Sequence, residues 1–400
     1  MKNDRSLPQL CKDEECTGCM ACVNACNHCA ITIISNSEGF YRPKIEGDKC
    51  IGCGLCEKSC PILNPVAASI YSPKVWAAWN RNEDIRADSS SGGVFSALAD
   101  QVLDDGGMVF GAAYDEQMKV FHQKVCCKED LSKLRKSKYV QSYIGVALRQ
   151  VKDCLLQGTK VMFVGTPCQC GALRSFLSKP DNNLLLVDFI CHGVPSPLFF
   201  DVYKKWLEDA YKDRIVDFNF RGKPKGWYDA LRQVKTVSGK SFWLKGHEDC
   251  YWDGFNSNVI LQNCCYNCRF LGFPRVSDIT IADFWGIGKK IVFNEKEQVE
   301  KGVSLIVANN GLGRKQIESN PFLRLFERTY EEAIARNQAA IRSSPRPKFR
   351  DVVFKHLQTM DFEKFSKTYM KPSLKTKIVK YWREYFPAFL VKGVRNVLLK

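Results

Sequence analysis

The sequence predicts two unlike folds in tandem, a small α+β module of cysteine loops and then a larger α/β domain. Three observations predict this. Ten of the 20 cysteines fall within the first 60 of 400 residues, and they fall as a repeat. From about residue 74 short apolar strands alternate with helical patterns, which is α/β punctuation. The length exceeds what one hydrophobic core serves, so two or three domains are expected.

Composition narrows the class further. With 45% hydrophobic and 26% charged residues the chain is globular in character, and no run approaches the roughly 18 apolar residues of a membrane-spanning helix. The first fifteen residues, MKNDRSLPQLCKDEE, carry neither the apolar stretch of a secretory signal nor the Arg/Ser-rich character of a transit peptide, so a cytoplasmic location is expected. Thiols stay reduced there, and the cysteine share is below that of a disulfide scaffold, so the cysteines read as metal ligands. The net charge of +16 suggests nucleic acid at first sight. Residues 342–400, however, hold 15 Lys/Arg against 4 Asp/Glu, so +11 of that charge sits on one tail and no nucleic-acid partner is expected.

The first module spans 1–65. CTGCMACVNAC (16–26) and CIGCGLCEKSCP (50–61) share the spacing Cys-x2-Cys-x2-Cys-x3-Cys. Three close thiolates wrap one 4Fe-4S cube, and the fourth, displaced by a further turn, faces the other cube. Cys16, Cys19 and Cys22 are therefore expected with Cys60, and Cys50, Cys53 and Cys56 with Cys26. Gly18, Gly52 and Gly54 let backbone N–H groups approach the sulfurs. A zinc pair is disfavoured because zinc ligands usually come as separated Cys pairs. Cys11 and Cys29 fall outside the spacing and read as bystanders. Between the halves, Ile31 and Ile33, a Ser-Asn-Ser-Glu-Gly turn, then Phe40 and Arg42 read as a hairpin. The proline-rich stretch 61–73 reads as a linker. Such a module passes single electrons and has no substrate chemistry of its own.

The second domain is divided at residue 150, into 74–150 and 151–335. The strand KVWAAWN (74–80) leads to SSSGG and a helix with Val94, Phe95, Leu98 and Val102 on one face. A Ser/Gly loop at a helix N-terminus suits phosphate, and an ordinary serine cap explains it as well. MVFGAAYD (108–115) returns as a strand. KVMFVG (160–165) is followed by a TPCQC loop and the helix GALRSFL; LLLVDFI (184–190) by a CHGVPSP loop and the helix LFFDVYKKWLEDA. Cys168 and Cys191 thus follow buried strands, where α/β sheets bind ligands. NCCYNC adds Cys264, Cys265 and Cys268 before the strand Ile279 to Phe284. Cys168, Cys191, Cys265 and Cys268 can make a third 4Fe-4S site; a zinc site on the same ligands, or a dithiol at the Cys-x2-Cys alone, stays open on spacing. GLGRK (311–315) has only half of a dinucleotide fingerprint and reads as a glycine turn between strand and helix. His192 reads as a loop histidine, with proton donation to a substrate as the alternative, and Cys126, Cys127 and Cys154 show no ligand spacing.

With the repeat, SSSGGVFSALA (89–99), SKYVQS (137–142), VMFVGTPCQ (161–169), VDFICHGVPS (187–196) and CYNCRF…SDITIADFWG (265–286) in hand, the chain resembles the coenzyme F420 (deazaflavin) hydrogenase/dehydrogenase beta-subunit family from about residue 16 to 330. The family also has a chlorophyll-reducing branch. The resemblance implies an α+β ferredoxin-like dicluster module followed by an α/β flavin-binding domain, with FAD and a third 4Fe-4S cluster. It implies FAD at Ser90, Ser91, Gly92 and Gly93, with Lys138, Gln141, Ser142 and Thr166 lining the flavin. Cys170 and Cys264 are departures, each near a proposed ligand that it could replace.

The function implied is that of a FAD-dependent iron-sulfur oxidoreductase passing electrons between a ferredoxin or similar donor protein and a small organic two-electron substrate. The alternative is a non-catalytic electron-transfer subunit of a larger hydrogenase/dehydrogenase-type complex. Substrates open to it are a deazaflavin, a chlorophyll derivative or a biosynthetic intermediate of a glycan, and no side chain is expected as a nucleophile. The tail, 342–400, is basic and amphipathic; Ile378, Val379, Trp382, Tyr385, Phe386, Leu390, Val394 and Leu398 recur at helical spacing around Pro387. Residues 371–400 read as a peripheral contact with the inner face of a membrane or as packing on the protein itself.

Overall fold

A computed structural model of the chain describes residues 7–68, 70–370, 377, 378, 381, 382 and 386. In the N-terminal module α1 (Ala21–Ala25), β1 (Ile31–Ser35), β2 (Tyr41–Ile45) and α2 (Leu55–Lys58) follow in order. The strands pair antiparallel from Ile31 opposite Ile45 to Ser35 opposite Tyr41. Asn36 closes the turn by accepting hydrogen bonds from the N–H groups of Glu38 and Phe40. The alternating pattern read in the sequence is this hairpin.

The body contains eleven further strands, β3 (Lys74–Asn80), β4 (Met108–Tyr114), β5 (Val120–Val125), β6 (Val161–Gly165), β7 (Leu184–Phe189), β8 (Ile215–Gly222), β9 (Leu231–Thr236), β10 (Ser241–Trp243), β11 (Ile279–Asp283), β12 (Ser304–Ala308) and β13 (Leu323–Arg328). Eight form one sheet in the order β13-β3-β12-β11-β7-β6-β4-β5, and β10-β9-β8 form a second. The four central strands β11, β7, β6 and β4 run parallel, with antiparallel pairings outside them. Covered on both faces, β6 is an apolar run and β7 is apolar from Leu184 to Val187, as central parallel strands are, with Asp188 following at the C-terminal end.

Helices α3 (Glu83–Asp88), α4 (Val94–Asp104), α5 (Ala147–Leu156), α6 (Pro167–Leu177), α7 (Pro197–Tyr211), α8 (Cys250–Asn256), α9 (Gly311–Glu318), α10 (Tyr330–Ala335), α11 (Arg350–Leu357) and α12 (Phe362–Tyr369) complete the body. Two begin earlier than the pattern led one to expect. At α6, Thr166 and Gln169 form a reciprocal capping box with Pro167 in the first turn, so Cys168 and Cys170 lie on the helix and not in a loop. At α9 the Asn310 side chain accepts the Gly313 N–H at 2.9 Å, and GLGRK is its first turn.

The stretch 342–370, which charge groups with the tail, packs into the body. Val353, Leu357, Phe362, Phe365 and Met370 share an apolar core with Phe199, Tyr203 and Tyr251. The proposed membrane or self-packing role of 371–400 falls outside the described residues, apart from five single positions. Among the described residues no helix is long and apolar enough to cross a membrane.

The module is seated on this body. Met20 and Ala21 are buried against the core of α5 and α6. Arg149 of α5 donates to the carbonyls of Val23, Asn24 and Cys26, the open C-terminal end of α1. On the other side Arg350 reaches both Glu38 carboxylate oxygens, at 2.6 and 2.7 Å.

Candidate metal centres

The left-handed backbone at Met20 and Gly54 turns each cysteine loop into its one-turn helix. Burial first, and neighbouring sulfurs after it, raise the thiol pKa of Cys16, Cys19 (to about 12) and Cys22, and Cys60 is among the neighbours in all three. Cys26, Cys50, Cys53 and Cys56 line a separate cavity with Ile31, Ile45, Ile51 and Leu55. The structure thus brings the fourth cysteine of each repeat to the triplet of the other.

Cys11 also stands at the first set. Its thiol hydrogen-bonds Cys60, which, as the largest influence, pulls Cys60 down to about 6 and pushes Cys11 upward. Sequence spacing carried no sign of this contact. Cys29 is exposed.

A third set gathers at the C-terminal edge of the parallel strands. Gly165 of β6 pairs with Asp188 of β7, so the segments leaving these strands deliver Cys168 and Cys191 side by side. Burial raises both thiols, with Cys191 among the neighbours of Cys168. Cys264 neighbours Cys168, Cys191, Cys265 and Cys268, making five thiols in one place. Cys170 points into the core, towards the carbonyls of Gly165 and Val187. Cys154 and Cys250 are buried in apolar clusters elsewhere.

The first and third sets adjoin. Cys19 is a neighbour of Cys168, and Cys264 of Cys16. Among the described residues no three His, Cys, Asp or Glu side chains close on the position of a single ion; the sulfurs gather in sets without meeting at one point. Buried thiols of raised pKa are neutral unless a positive centre ionises them, and iron is such a centre. The donor chemistry of the first and third sets fits iron-sulfur ligation in this way, and in the second set the four cysteines fit it by sharing one cavity.

The Ser/Gly loop lies at the same sheet edge. Gly92 has no room for a Cβ, which would sit 2.5 Å from the Ala78 carbonyl and 2.8 Å from the Ser304 nitrogen. Its N–H is taken by the Ser304 hydroxyl at 2.9 Å, the Ser91 hydroxyl donates to the Val303 carbonyl, and Ser90 accepts from the Ser137 N–H. Gly93 begins α4 without any side-chain cap. Lys138 is near, joined through Ser137, and donates to the carbonyls of Lys133 and Arg135. Lys223, just past β8, donates to the carbonyls of Arg86, Ser91 and Lys301. Burial lowers Lys138 to about 7 and Lys223 to about 8. Sequence reading passed over Lys223, whose only signal was RGK at the end of an alternating strand.

Three other candidates stand apart from this loop. Gln141 is buried between Tyr41 and Gln262. The Ser142 hydroxyl meets His122 Nδ1 at 2.7 Å. Thr166 caps α6 and touches the Cys168 sulfur at 3.0 Å.

Comparison with known proteins bears on both halves. Residues 15–63 match the 4Fe-4S dicluster domain, and residues 158–320 match the C terminus of the coenzyme F420 hydrogenase/dehydrogenase beta subunit. An uncharacterized protein of Methanocaldococcus jannaschii is 27% identical over 46% of this chain, which spans 59% of that relative's length. The ferredoxin-type protein NapF of Escherichia coli is 33% identical over 17% of this chain and 41% of its own length. The ketoisovalerate oxidoreductase subunit VorC of Methanothermobacter marburgensis is 31% identical over 14% of this chain and 73% of its own. Among solved structures, a chain of the F420-reducing NiFe hydrogenase complex of Methanosarcina barkeri covers 79% of this chain and 95% of itself at 15% identity and a TM-score of 0.45. The chain thus joins a segment similar to a 4Fe-4S dicluster domain to one similar to the C terminus of an F420 hydrogenase/dehydrogenase beta subunit, and it spans little more than half the length of the first of these relatives.

Proposed function

We propose that the chain is the electron-transfer subunit of an F420 hydrogenase/dehydrogenase-type complex, carrying three 4Fe-4S clusters and FAD. One observation carries this reading. The thiol sets succeed one another from exposed Cys53, through the first set, to Cys168 and Cys191 at the ligand edge of the sheet. Clusters bound there would move single electrons, and FAD would convert between one- and two-electron chemistry.

The ligands proposed are Cys16, Cys19, Cys22 and Cys60; Cys50, Cys53, Cys56 and Cys26; and Cys168, Cys191, Cys265 and Cys268. Arg149 holds the Cys26 carbonyl and Thr166 steadies Cys168, so each arrives on a fixed piece of backbone. For the flavin, support comes from two half-buried lysines beside an uncapped helix N-terminus. Lys138 and Lys223 lean on carbonyl oxygens and form no ion pair with a carboxylate among the described residues. A phosphate there would neutralise them and accept from the first N–H groups of α4. Ser90, Ser91, Gly93, Lys138 and Lys223 would hold it; Gln141, Ser142 and Thr166 have other partners.

A self-contained reductase is the second reading, favoured by the lysine-lined loop. Anaerobic mixing of the dithionite-reduced, reconstituted chain with free oxidised deazaflavin separates the two. Clusters that stay reduced beside unchanged deazaflavin support the subunit; two-electron reduction of deazaflavin, matched by the electrons lost from the clusters and flavin of the chain alone, supports the reductase.

A further inference from the structure

The loop between Cys16 and Cys19 is tied to the third thiol set by two glutamines. Gln262, almost fully buried, leads directly into Cys264 and Cys265. Its Nε2 donates to the Thr17 carbonyl at 3.2 Å and to the Cys264 sulfur at 2.7 Å. Its Oε1 accepts from Gln141 Nε2 and from Arg42 Nη1, both at 3.1 Å. All four hydrogen-bonding positions of the carboxamide are used, and a flipped amide would set its NH2 against two other donors, so the orientation is fixed.

Gln141 is equally committed. Its Oε1 accepts from the Tyr41 N–H at 2.9 Å, and its own N–H donates to the Pro195 carbonyl. It lies so close to the cysteine loop that a Cβ at Gly18 would collide with its amide. Arg42, besides meeting Gln262, pairs with Asp13 and the Tyr41 carbonyl. The two carboxamides therefore bind a strand and a cluster loop of the N-terminal module to the segment that presents Cys264, Cys265 and Cys268. None of these contacts involves an assigned ligand, so they are free to act on the spacing between sets.

We propose that Gln262, supported by Gln141, is a positioning residue that holds the first thiol set against the third, with the Thr17 carbonyl and Cys264 as its two anchors. The inference rests on the three-cluster reading. Its consequence is electronic, because the gap across which an electron passes between the two sets is the gap this bridge closes. Gln262→Leu keeps the volume and removes the bridge; Gln262→Glu keeps the acceptor and removes both donations.

The test uses full-length protein reconstituted anaerobically, with iron counted, spin coupling read by EPR of the fully reduced state, and reduction of each cluster followed by freeze-quench after dithionite. Wild type should show spin coupling between the first- and third-set signals. Gln262→Leu should keep wild-type iron yet lose that coupling and slow the appearance of the third signal. Gln262→Glu, in case the leucine variant does not fold, should slow it as well. Unchanged coupling and rate in both variants, with wild-type iron, overturns the inference alone. A wild-type protein with no third signal overturns it together with the reading beneath it.

Discussion

Cys60 belongs to the second repeat by sequence and to the first thiol set by position, where it neighbours Cys16, Cys19 and Cys22. Cys60→Ala should therefore disturb the cluster of the first repeat and leave that of Cys50, Cys53 and Cys56 intact. EPR should lose one dicluster signal, and iron should fall by about four per chain; loss of both signals, or of the other one, contradicts the exchange. Lys138 gives a second test. Burial lowers its pKa from 10.5 to about 7, so between these values the unfolded chain holds a proton that the folded chain has released. Stability without flavin then rises with pH across that window. Denaturant midpoints at pH 7 and pH 9 should rise less in Lys138→Met than in wild type, the remaining rise belonging to Lys223, which burial lowers to about 8, and added FAD should flatten both by favouring the ammonium.

Elements differed in how far the sequence announced them. The dicluster hairpin and strands β3, β4, β6, β7, β11 and β12 lie where apolar runs and turns put them, because their side chains face a core on one or both sides. The three-stranded sheet of β8, β9 and β10 was not foreseen. Its core partners are aromatic residues from α7, α8 and α12, far apart in sequence, and no local period reports that meeting. Spacing revealed the cysteine repeats directly, since three of the four cysteines of each lie within one loop. It could not give Cys11 against Cys60, nor Gln262 against Thr17, which depend on how the module docks. Helix α11 is the clearest case of tertiary override: a stretch grouped by charge with the tail puts Arg350 in the interior, with two bonds to Glu38 and two to the Leu261 carbonyl. Arg350→Leu should cost about 3 kcal/mol, the scale for breaking a buried pair. Chemical denaturation should register that loss, and limited proteolysis should cut sooner in the hairpin that Glu38 anchors. Wild-type stability would deny α11 its place as the clasp of the module.

At the scale of the molecule, the N-terminal module is an integral part of the body's surface, held by Arg149 on one side, Arg350 on the other and the glutamine bridge between. This seating turns two separately legible motifs, a ferredoxin-type repeat and an α/β sheet with cysteines at its strand ends, into one succession of thiols. An electron path from the module to the sheet edge requires the third set to be a 4Fe-4S site beside the other two. Anaerobic purification with iron, sulfide and zinc quantified per chain tests it most directly, in wild type and in Cys191→Ser. The account predicts about twelve irons in wild type and about eight in the variant, with both dicluster EPR signals kept. About eight irons and one zinc in wild type would contradict it.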